Sequence, residues 1–167
     1  MNEDKMREIK IDSITLHCST SDPGKLDKSI KLLKLIAKAT PVKTLAKKRI
    51  PAFKIRPGLP IGCKVTVRKN TNELLKMLFT GIPSLKDKQF NPGFLSFGVK
   101  EYIEITSIPY QRDIGIIGFD VVVKLKRPGF RITQRKRTKS KIGKKHRITK
   151  VETKEFFEKN FEINIEK

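Results

Sequence analysis

The sequence is poor in the residues on which most enzyme sites and disulfide frameworks depend. It has no tryptophan, only two histidines, His17 and His146, and only two cysteines, Cys18 and Cys63. The cysteines lie far apart and lack the Cys-x-x-Cys spacing of a zinc site, so we interpret them as reduced core thiols and expect neither a metal nor another cofactor. Nucleophilic catalysis needs a base oriented beside the nucleophile, and two isolated histidines are more typical of surface contacts.

Long apolar runs and phosphate-binding loops are also missing. No stretch approaches the roughly 20 apolar residues that cross a bilayer, and residues 1–5 contain no basic or apolar leader, so we expect no membrane partner. Neither Gly-x-x-x-x-Gly-Lys nor Gly-x-Gly-x-x-Gly occurs. Gly115 to Gly118 matches only the bare Gly-x-x-Gly of a KH loop, and its apolar setting between Asp113 and Asp120 argues against that function.

Acidic residues are nearly absent from two long segments. The 167 residues carry a net charge of +21. Residues 25–69 contain 14 Lys or Arg against the single acid Asp27, and residues 124–150 contain 13 against none. Such segregation creates a positive field that a polyanionic partner relieves, so we predict nucleic-acid binding. A solvated basic face or a localisation tract is the alternative, which suits one short lysine run better than two long blocks.

A folded body is expected despite this charge, because 37% of the residues are hydrophobic. We predict a single domain over residues 1–167, with a basic extension at 126–150 and a short helix and tail at 150–167. Alternating apolar residues predict strands near 14–18, 61–67, 97–105 and 119–125. Residues 42–60, rich in proline, glycine and cations, indicate a shaped loop or an irregular strand pair.

Helix signals occur at three places. Asp22 and Pro23 predict the cap and first residue of an amphipathic helix that ends at Thr40-Pro41. Asn70 with Glu73 predicts a capping box for a second helix, which Gly81 and Pro83 end. Thr149 with Glu152 predicts a capping box for the C-terminal helix. Glu101 and Glu104 are expected on a strand, as surface ion-pairing residues and not as an acid–base pair.

Aromatic residues lie among cations in Phe53-Lys54-Ile55-Arg56 and in Arg127-Pro128-Gly129-Phe130-Arg131. Arginine binds phosphate with a planar fork, and phenylalanine can stack on a base. The alternative is that each phenylalanine anchors its loop in the core. Under either interpretation, the loops present arginine.

The sixteen residues from Phe53 to Arg68 closely resemble the central segment of the universal large-subunit ribosomal protein L-five family. The resemblance extends to Met6–Ile11, Phe97–Glu101 and Gly115–Asp120. Arg127–Arg131 with Arg135-Lys136-Arg137 resembles the archaeal and eukaryotic branch, called L-eleven in eukaryotes.

This resemblance implies an α+β fold with a single curved, mostly antiparallel sheet, helices packed on one face, and a basic loop extension. It also implies a structural constituent of the large ribosomal subunit, located in the central protuberance and not an enzyme. The implied partners are 5S rRNA, large-subunit rRNA, P-site tRNA, neighbouring ribosomal proteins and a small-subunit bridge protein. The implied location is the cytoplasmic ribosome, with a nuclear or nucleolar assembly stage if the source is eukaryotic.

Site residues follow by position. The resemblance assigns 5S rRNA binding to His17, Lys43, Thr44, Lys47, Lys48, Arg49, Lys64, Thr66 and Arg68. It assigns the tRNA-facing loop to Ile50–Pro57, with contacts at Pro51, Phe53, Lys54, Ile55, Arg56 and Pro57. Within the extension we expect further rRNA or tRNA contacts from Arg127, Phe130, Arg131, Arg135, Lys136, Arg137, Lys144, His146 and Arg147. The chain departs from the family at His17, where relatives usually have Asn, and at Lys38-Ala39-Thr40, where many have Ser-Gly-Gln.

Two other functions fit the basic composition. An RNA-processing enzyme could use the same surface, with His17 or His146 in its chemistry. A regulatory protein outside the ribosome could bind acidic partners through residues 124–150.

Overall fold

The computed structural model describes residues 5–20, 22–82, 84–161 and 163–166. The helices are α1 (Pro23–Ala37), α2 (Thr71–Phe79) and α3 (Lys150–Phe161). The strands are β1 (Lys10–Ser19), β2 (Val42–Leu45), β3 (Pro60–Val67), β4 (Leu85–Lys86), β5 (Phe90–Asn91), β6 (Phe94–Val99), β7 (Phe119–Lys126) and β8 (Ile165–Glu166).

Six strands form one antiparallel sheet in the order β2-β3-β1-β7-β6-β5, and β4 pairs in parallel with β8. The alternation in β1 buries Ile14, Leu16 and Cys18, while the intervening Thr15 and His17 lie on the other face. α1 packs on β1 and β3, and α2 packs on β1. The predicted α+β fold with a mostly antiparallel sheet is confirmed, and the short β4–β8 pair is a second sheet beside the predicted one.

Phenylalanines join the helices to the sheet. Phe79 of α2 lies 5.5 Å from Phe97 of β6 and 5.5 Å from Phe161 of α3, measured between ring centroids. Phe157 is fully buried and lies 6.2 Å from Phe90 of β5. Aromatic pairs at these separations stabilise the core beyond the area that they bury. Within the described ranges, no helix is long and apolar enough to cross a membrane.

The two cysteines face each other across β1 and β3, and both are free and buried. The adjacent Cys63 side chain and the burial of the site raise the pKa of the Cys18 thiol, so this thiol stays protonated. Their predicted place in the core is confirmed, and their reduced state stays a prediction. Among the described residues, no group of three His, Cys, Asp or Glu could hold a metal ion.

Two of the three predicted helix caps are correct. The Asp22 carboxylate accepts a hydrogen bond of 3.0 Å from the Gly24 N–H, and Pro23 is the first residue of α1. Glu152 accepts from the Thr149 N–H at 2.8 Å, and the Thr149 hydroxyl accepts from the Glu152 N–H at 3.3 Å. This reciprocal pair is the predicted capping box of α3.

The cap predicted at Asn70 is wrong. Asn70 precedes α2, but its backbone is left-handed (φ 51°) and its side chain makes no capping hydrogen bond. A capping side chain needs extended backbone to reach the first N–H groups of the helix. Gly81 lies just beyond the end of α2, while the stop predicted at Pro83 falls outside the described residues.

The strand predicted over residues 97–105 ends early, at Val99. Tyr102–Glu104 form a 3₁₀ turn, with the Tyr102 side chain buried and its hydroxyl accepting the Gln111 N–H at 3.0 Å. Glu101 and Glu104 are therefore not on a strand, and that expectation is wrong. The alternating apolar residues of this segment satisfy a tight turn that packs inward, which the pattern alone does not distinguish from a strand.

Candidate nucleic-acid interface

The sheet face opposite the helices, here called the open face, carries a row of polar side chains. His17 of β1 is paired in register with Lys64 of β3 on one side and with Asp120 of β7 on the other. The His17 Nδ1 lies 3.9 Å from a carboxylate oxygen of Asp120, and the two side chains are 36% and 67% exposed. This row offers a cation, an imidazole and a carboxylate to one ligand.

The next row of the open face is built by Thr66 and Thr15. Their hydroxyl oxygens are 3.2 Å apart across β3 and β1. Two residues from Lys64 along β3, Gly62 is paired with Ser19 and brings β3 close to β1, because a Cβ at this position would lie 2.5 Å from the Cys18 carbonyl oxygen. Of the two glycines of the Phe53–Arg68 segment, Gly62 is therefore required by the contact between β1 and β3.

The strand alternation of β7 also contained a signal that the sequence analysis did not use. It places Asp120, Val122, Lys124 and Lys126 on the open face, alternating with buried residues. Asp12, at a bulge in β1, pairs with Lys124 at 3.3 Å and with Lys126 at 3.0 Å. Burial alone raises the pKa of Asp12, but its hydrogen bonds from the two lysines outweigh this, and the net pKa is lowered. The carboxylate is therefore ionised and reduces the positive charge at this end of the face.

The residues predicted for 5S rRNA do not all share this face. Lys43 pairs in register with Cys63, whose side chain points to the helix side, and the Lys43 ammonium lies 3.4 Å from Asp27 of α1. Thr44 pairs with Gly62 and is half-buried. The remaining predicted cations of this group are exposed: Lys64 on the open face, Arg68 just after β3, and Lys47, Lys48 and Arg49 between β2 and the central loop.

The central loop projects between β2 and β3 and is closed at its base. The backbone N–H of Ile50 donates to the Ile55 carbonyl at 3.0 Å, and the N–H of Ile55 donates back at 3.1 Å. Pro51–Phe53 form a single 3₁₀ turn, and Lys54 follows in the left-handed conformation (φ 54°). Phe53 is 70% exposed, so it does not anchor the loop in the core. Lys54, Arg56 and Pro57 are exposed as well.

Phe130 has the opposite role in the extension. It is half-buried against the core, and its ring meets His146 edge to face at 5.7 Å between centroids. His146 Nε2 lies 2.9 Å from the Pro128 carbonyl oxygen, so this histidine contacts its own chain. The other cations predicted to contact RNA are exposed: Arg131, Arg135, Lys136, Arg137, Lys144 and Arg147.

Arg127 is buried, with only 4% of its surface exposed. Its Nη2 donates to Glu152 at 2.7 Å, and its Nη1 lies 3.4 Å from the carbonyl oxygens of His146 and of Arg147. The predicted RNA contact at Arg127 does not fit this position, because the donors of the guanidinium point into the protein. Charge and neighbouring residues do not distinguish Arg127 from Arg131, so sequence reasoning grouped them together.

Two models of one protein family match most of the chain. The family model described as "Ribosomal protein L5" matches residues 4–56, and the model of the C-terminus of the same ribosomal family matches residues 60–156. The chain belongs to the ribosomal protein L5 family. This is a family of large-subunit ribosomal proteins, and its members are structural proteins and not enzymes.

Archaeal members of the family match nearly end to end. The large ribosomal subunit protein uL5 of Methanobrevibacter smithii is 40% identical over 163 residues, which cover 95% of this chain and 96% of the relative. That of Nanoarchaeum equitans is 41% identical over 154 residues, covering 90% and 91%. That of Sulfurisphaera tokodaii is 38% identical over 165 residues, covering 96% and 93%. The resemblance of Phe53–Arg68 to the ribosomal L-five family is thereby confirmed at the level of the family.

Proposed function

We propose that this protein binds 5S rRNA and large-subunit rRNA in the central protuberance of the large ribosomal subunit, and contacts P-site tRNA through the loop at Ile50–Pro57. Its protein partners are neighbouring ribosomal proteins and a small-subunit bridge protein. It acts in cytoplasmic ribosomes, with a nucleolar assembly stage only in a eukaryotic cell.

The carrying observation is the arrangement of exposed cations beside an open sheet face. Lys47, Lys48 and Arg49 are exposed between β2 and the central loop, and Lys64 continues the group onto the open face. Cations that line a surface release counterions when they contact phosphates, which supplies affinity without sequence specificity. The hydroxyl and imidazole groups of the open face can add hydrogen bonds to bases and riboses.

The loop has the properties that a contact to a folded RNA requires. Phe53 offers an exposed ring, and Lys54 and Arg56 flank it with exposed cations. Aromatic rings stack on nucleosides irrespective of base identity, and adjacent cations bind the backbone. The closed base of the loop reduces the entropy that binding would otherwise cost.

A direct test is crosslinking in intact ribosomes followed by identification of the crosslinked peptides. Peptides spanning Lys43–Arg49 should carry 5S rRNA, and peptides spanning Lys54–Arg56 should carry tRNA. The outer surface of α1, at Lys31 and Lys34, is exposed on the other side of the sheet and serves as the internal control. Recovery of 5S rRNA only on α1 peptides would refute the assignment.

The electrostatic part has a quantitative test with matched variants. If about eight phosphates are contacted, log affinity for 5S rRNA should fall against log salt with a slope of about −6 to −7. The double variant Lys47→Ala/Lys48→Ala should make this slope shallower by roughly 0.7 to 0.9 per lost contact. Lys31→Ala/Lys34→Ala removes the same charge from α1 and should leave the slope nearly unchanged. Equal effects of the two variants would contradict the proposed surface.

A further inference from the structure

The two ends of the extension meet at a neck, formed by Arg127–Phe130 where the chain leaves β7 and by His146–Thr149 where it enters α3. Arg127 spans this neck with one side chain, reaching Glu152 and the carbonyls of His146 and Arg147. A guanidinium can make this set of contacts because its donors are spread in a rigid planar fork. A buried arginine with these partners is therefore a connection between two segments that are distant in sequence.

Glu152 couples the neck to the start of α3. One carboxylate oxygen accepts from Arg127 at 2.7 Å, and the other accepts from the Thr149 N–H at 2.8 Å. Burial alone raises the pKa of Glu152, but these hydrogen bonds outweigh it and the net pKa is lowered, so the group is an anion at neutral pH. The capping box and the ion pair therefore share one carboxylate.

The other side of the neck is formed by contacts among Pro128, Phe130 and His146. The His146 ring bridges the Pro128 carbonyl and the Phe130 ring, which itself packs on the core. Beyond the neck, the hydrogen bonds of residues 131–145 stay within the extension and the neck, such as the Arg135 Nε donating to the Thr138 carbonyl at 2.8 Å and the Ser140 N–H donating to the Ile132 carbonyl at 3.3 Å. The position of these cations relative to the sheet thus depends mainly on the neck.

We infer that Arg127 is a positioning residue, which holds the neck closed so that the exposed cations of the extension meet RNA phosphates in a fixed arrangement without contacting RNA itself. This inference rests on the proposed function. Opening the neck would remove none of these cations, but the extension that carries them would sample many conformations. The apparent affinity would fall in proportion to the closed fraction.

The test compares two variants that remove the same charge, Arg127→Met and Arg131→Met. Amide hydrogen exchange is measured on the free full-length protein, and affinity for large-subunit rRNA is measured as a function of salt. Arg127→Met should accelerate exchange of amides over 131–149 and, if the closed form falls to about a tenth, lower affinity about tenfold with the salt slope retained. Arg131→Met should leave exchange unchanged and make the slope shallower by roughly 0.7 to 0.9.

Three outcomes would overturn the inference. Unchanged exchange and affinity in Arg127→Met would mean that the ion pair holds nothing in place. A shallower slope with unchanged exchange would mean that Arg127 contacts phosphate directly. If Arg127→Met does not fold, Arg127→Lys and Glu152→Gln replace it, because each keeps the volume of the site and removes part of the hydrogen bonding. Loss of the whole fold in these milder variants too would make Arg127 a general stability residue and would also overturn the inference.

The failure of the proposed function has a different signature. Wild-type protein without salt-dependent binding to rRNA would refute that function, whatever Arg127 does. Exchange over the neck is measured without RNA, so it reports on the role of Arg127 in the extension independently of the RNA result.

Discussion

Phenylalanine has two roles in this molecule, and exposure separates them. Phe53 is 70% exposed at the tip of the central loop, whereas Phe157 of α3 is fully buried against Phe79 of α2 and Phe90 of the sheet. Burial of an aromatic side chain contributes to stability, while an exposed ring is available for stacking. Truncation of Phe53 should therefore weaken binding with little effect on stability, and truncation of Phe157 should lower stability.

We expect Phe53→Ala to change the free energy of unfolding by less than about 0.5 kcal/mol, as at other exposed positions. Its affinity for tRNA in reconstituted ribosomes should fall by about 1–3 kcal/mol, the usual contribution of one stacked base. Phe157→Ala should cost about 3–5 kcal/mol of stability because it opens a cavity in the core. Denaturant titration and tRNA filter binding measure the two effects. A large stability loss in Phe53→Ala would show that the loop phenylalanine is an anchor.

Glu152 should make stability depend on pH in the acid range. Its pKa in the folded protein is lowered below the ordinary value of 4.5, so its contribution is fully present above that pH. The contribution is lost as the pH falls through the lower, folded-state pKa. Because Asp12 and Asp87 are shifted in the same direction, the informative quantity is the difference in unfolding free energy between wild type and Glu152→Gln. That difference should shrink on acidification below about pH 4.5; a constant difference would contradict the ion pair.

At the scale of the elements, α2 and α3 begin in different ways. Thr149 caps α3 through its hydroxyl, whereas Asn70 precedes α2 in the left-handed conformation without capping it. Asparagine tolerates this conformation better than most residues, and glycine adopts it without a steric cost. The start of α3 therefore depends on the Thr149 side chain, and the start of α2 depends on the backbone conformation of Asn70.

Alanine should therefore destabilise the protein at both positions, for different reasons, whereas glycine should be tolerated at Asn70. Thr149→Ala should cost about 1 kcal/mol, within the roughly 0.5–2 kcal/mol seen for lost caps. Asn70→Gly should be neutral or stabilising, while Asn70→Ala should cost about 1 kcal/mol because alanine resists positive φ. Thermal unfolding of the purified variants measures all three. Equal losses for glycine and alanine at Asn70 would mean that its side chain caps α2 after all.

At the scale of the molecule, the sheet interleaves distant parts of the chain. β1, from the N-terminal part, lies between β3 and β7. A fragment that lacks β1 loses the strand to which both of these neighbours are hydrogen-bonded. The two segments matched by separate family models therefore build one sheet.

This arrangement supports the prediction of a single domain over residues 1–167. Calorimetry of the full chain should show one unfolding transition whose van't Hoff and calorimetric enthalpies agree. A fragment of residues 60–167 should not fold, because it retains β3 and β7 without the strand between them. Two resolved transitions, or a folded fragment, would contradict the single domain.

Patterns within short segments of the sequence determined several strands, two helix caps and the position of the basic segments. Alternation placed β1, β3 and β7, the Asp22 and Thr149 caps followed from their residue types, and charge segregation indicated the two basic segments. These features depend on neighbours a few residues away, which is the range over which periodicity, capping and local charge act. The likeness of Phe53–Arg68 to a known family supplied the remaining assignments.

Only the tertiary structure decided which of several residues with the same local sequence pattern are buried and which are exposed. Arg127 and Arg131 share charge and setting, yet one is buried against Glu152 and the other is exposed. Phe53 and Phe130 likewise differ in whether a core surface lies beside them, and the two-residue pairing of β4 with β8 is too short to leave a periodic pattern. Burial and ion pairing depend on which distant segment arrives opposite a residue, and the strand order that brings these segments together is not contained in any one of them.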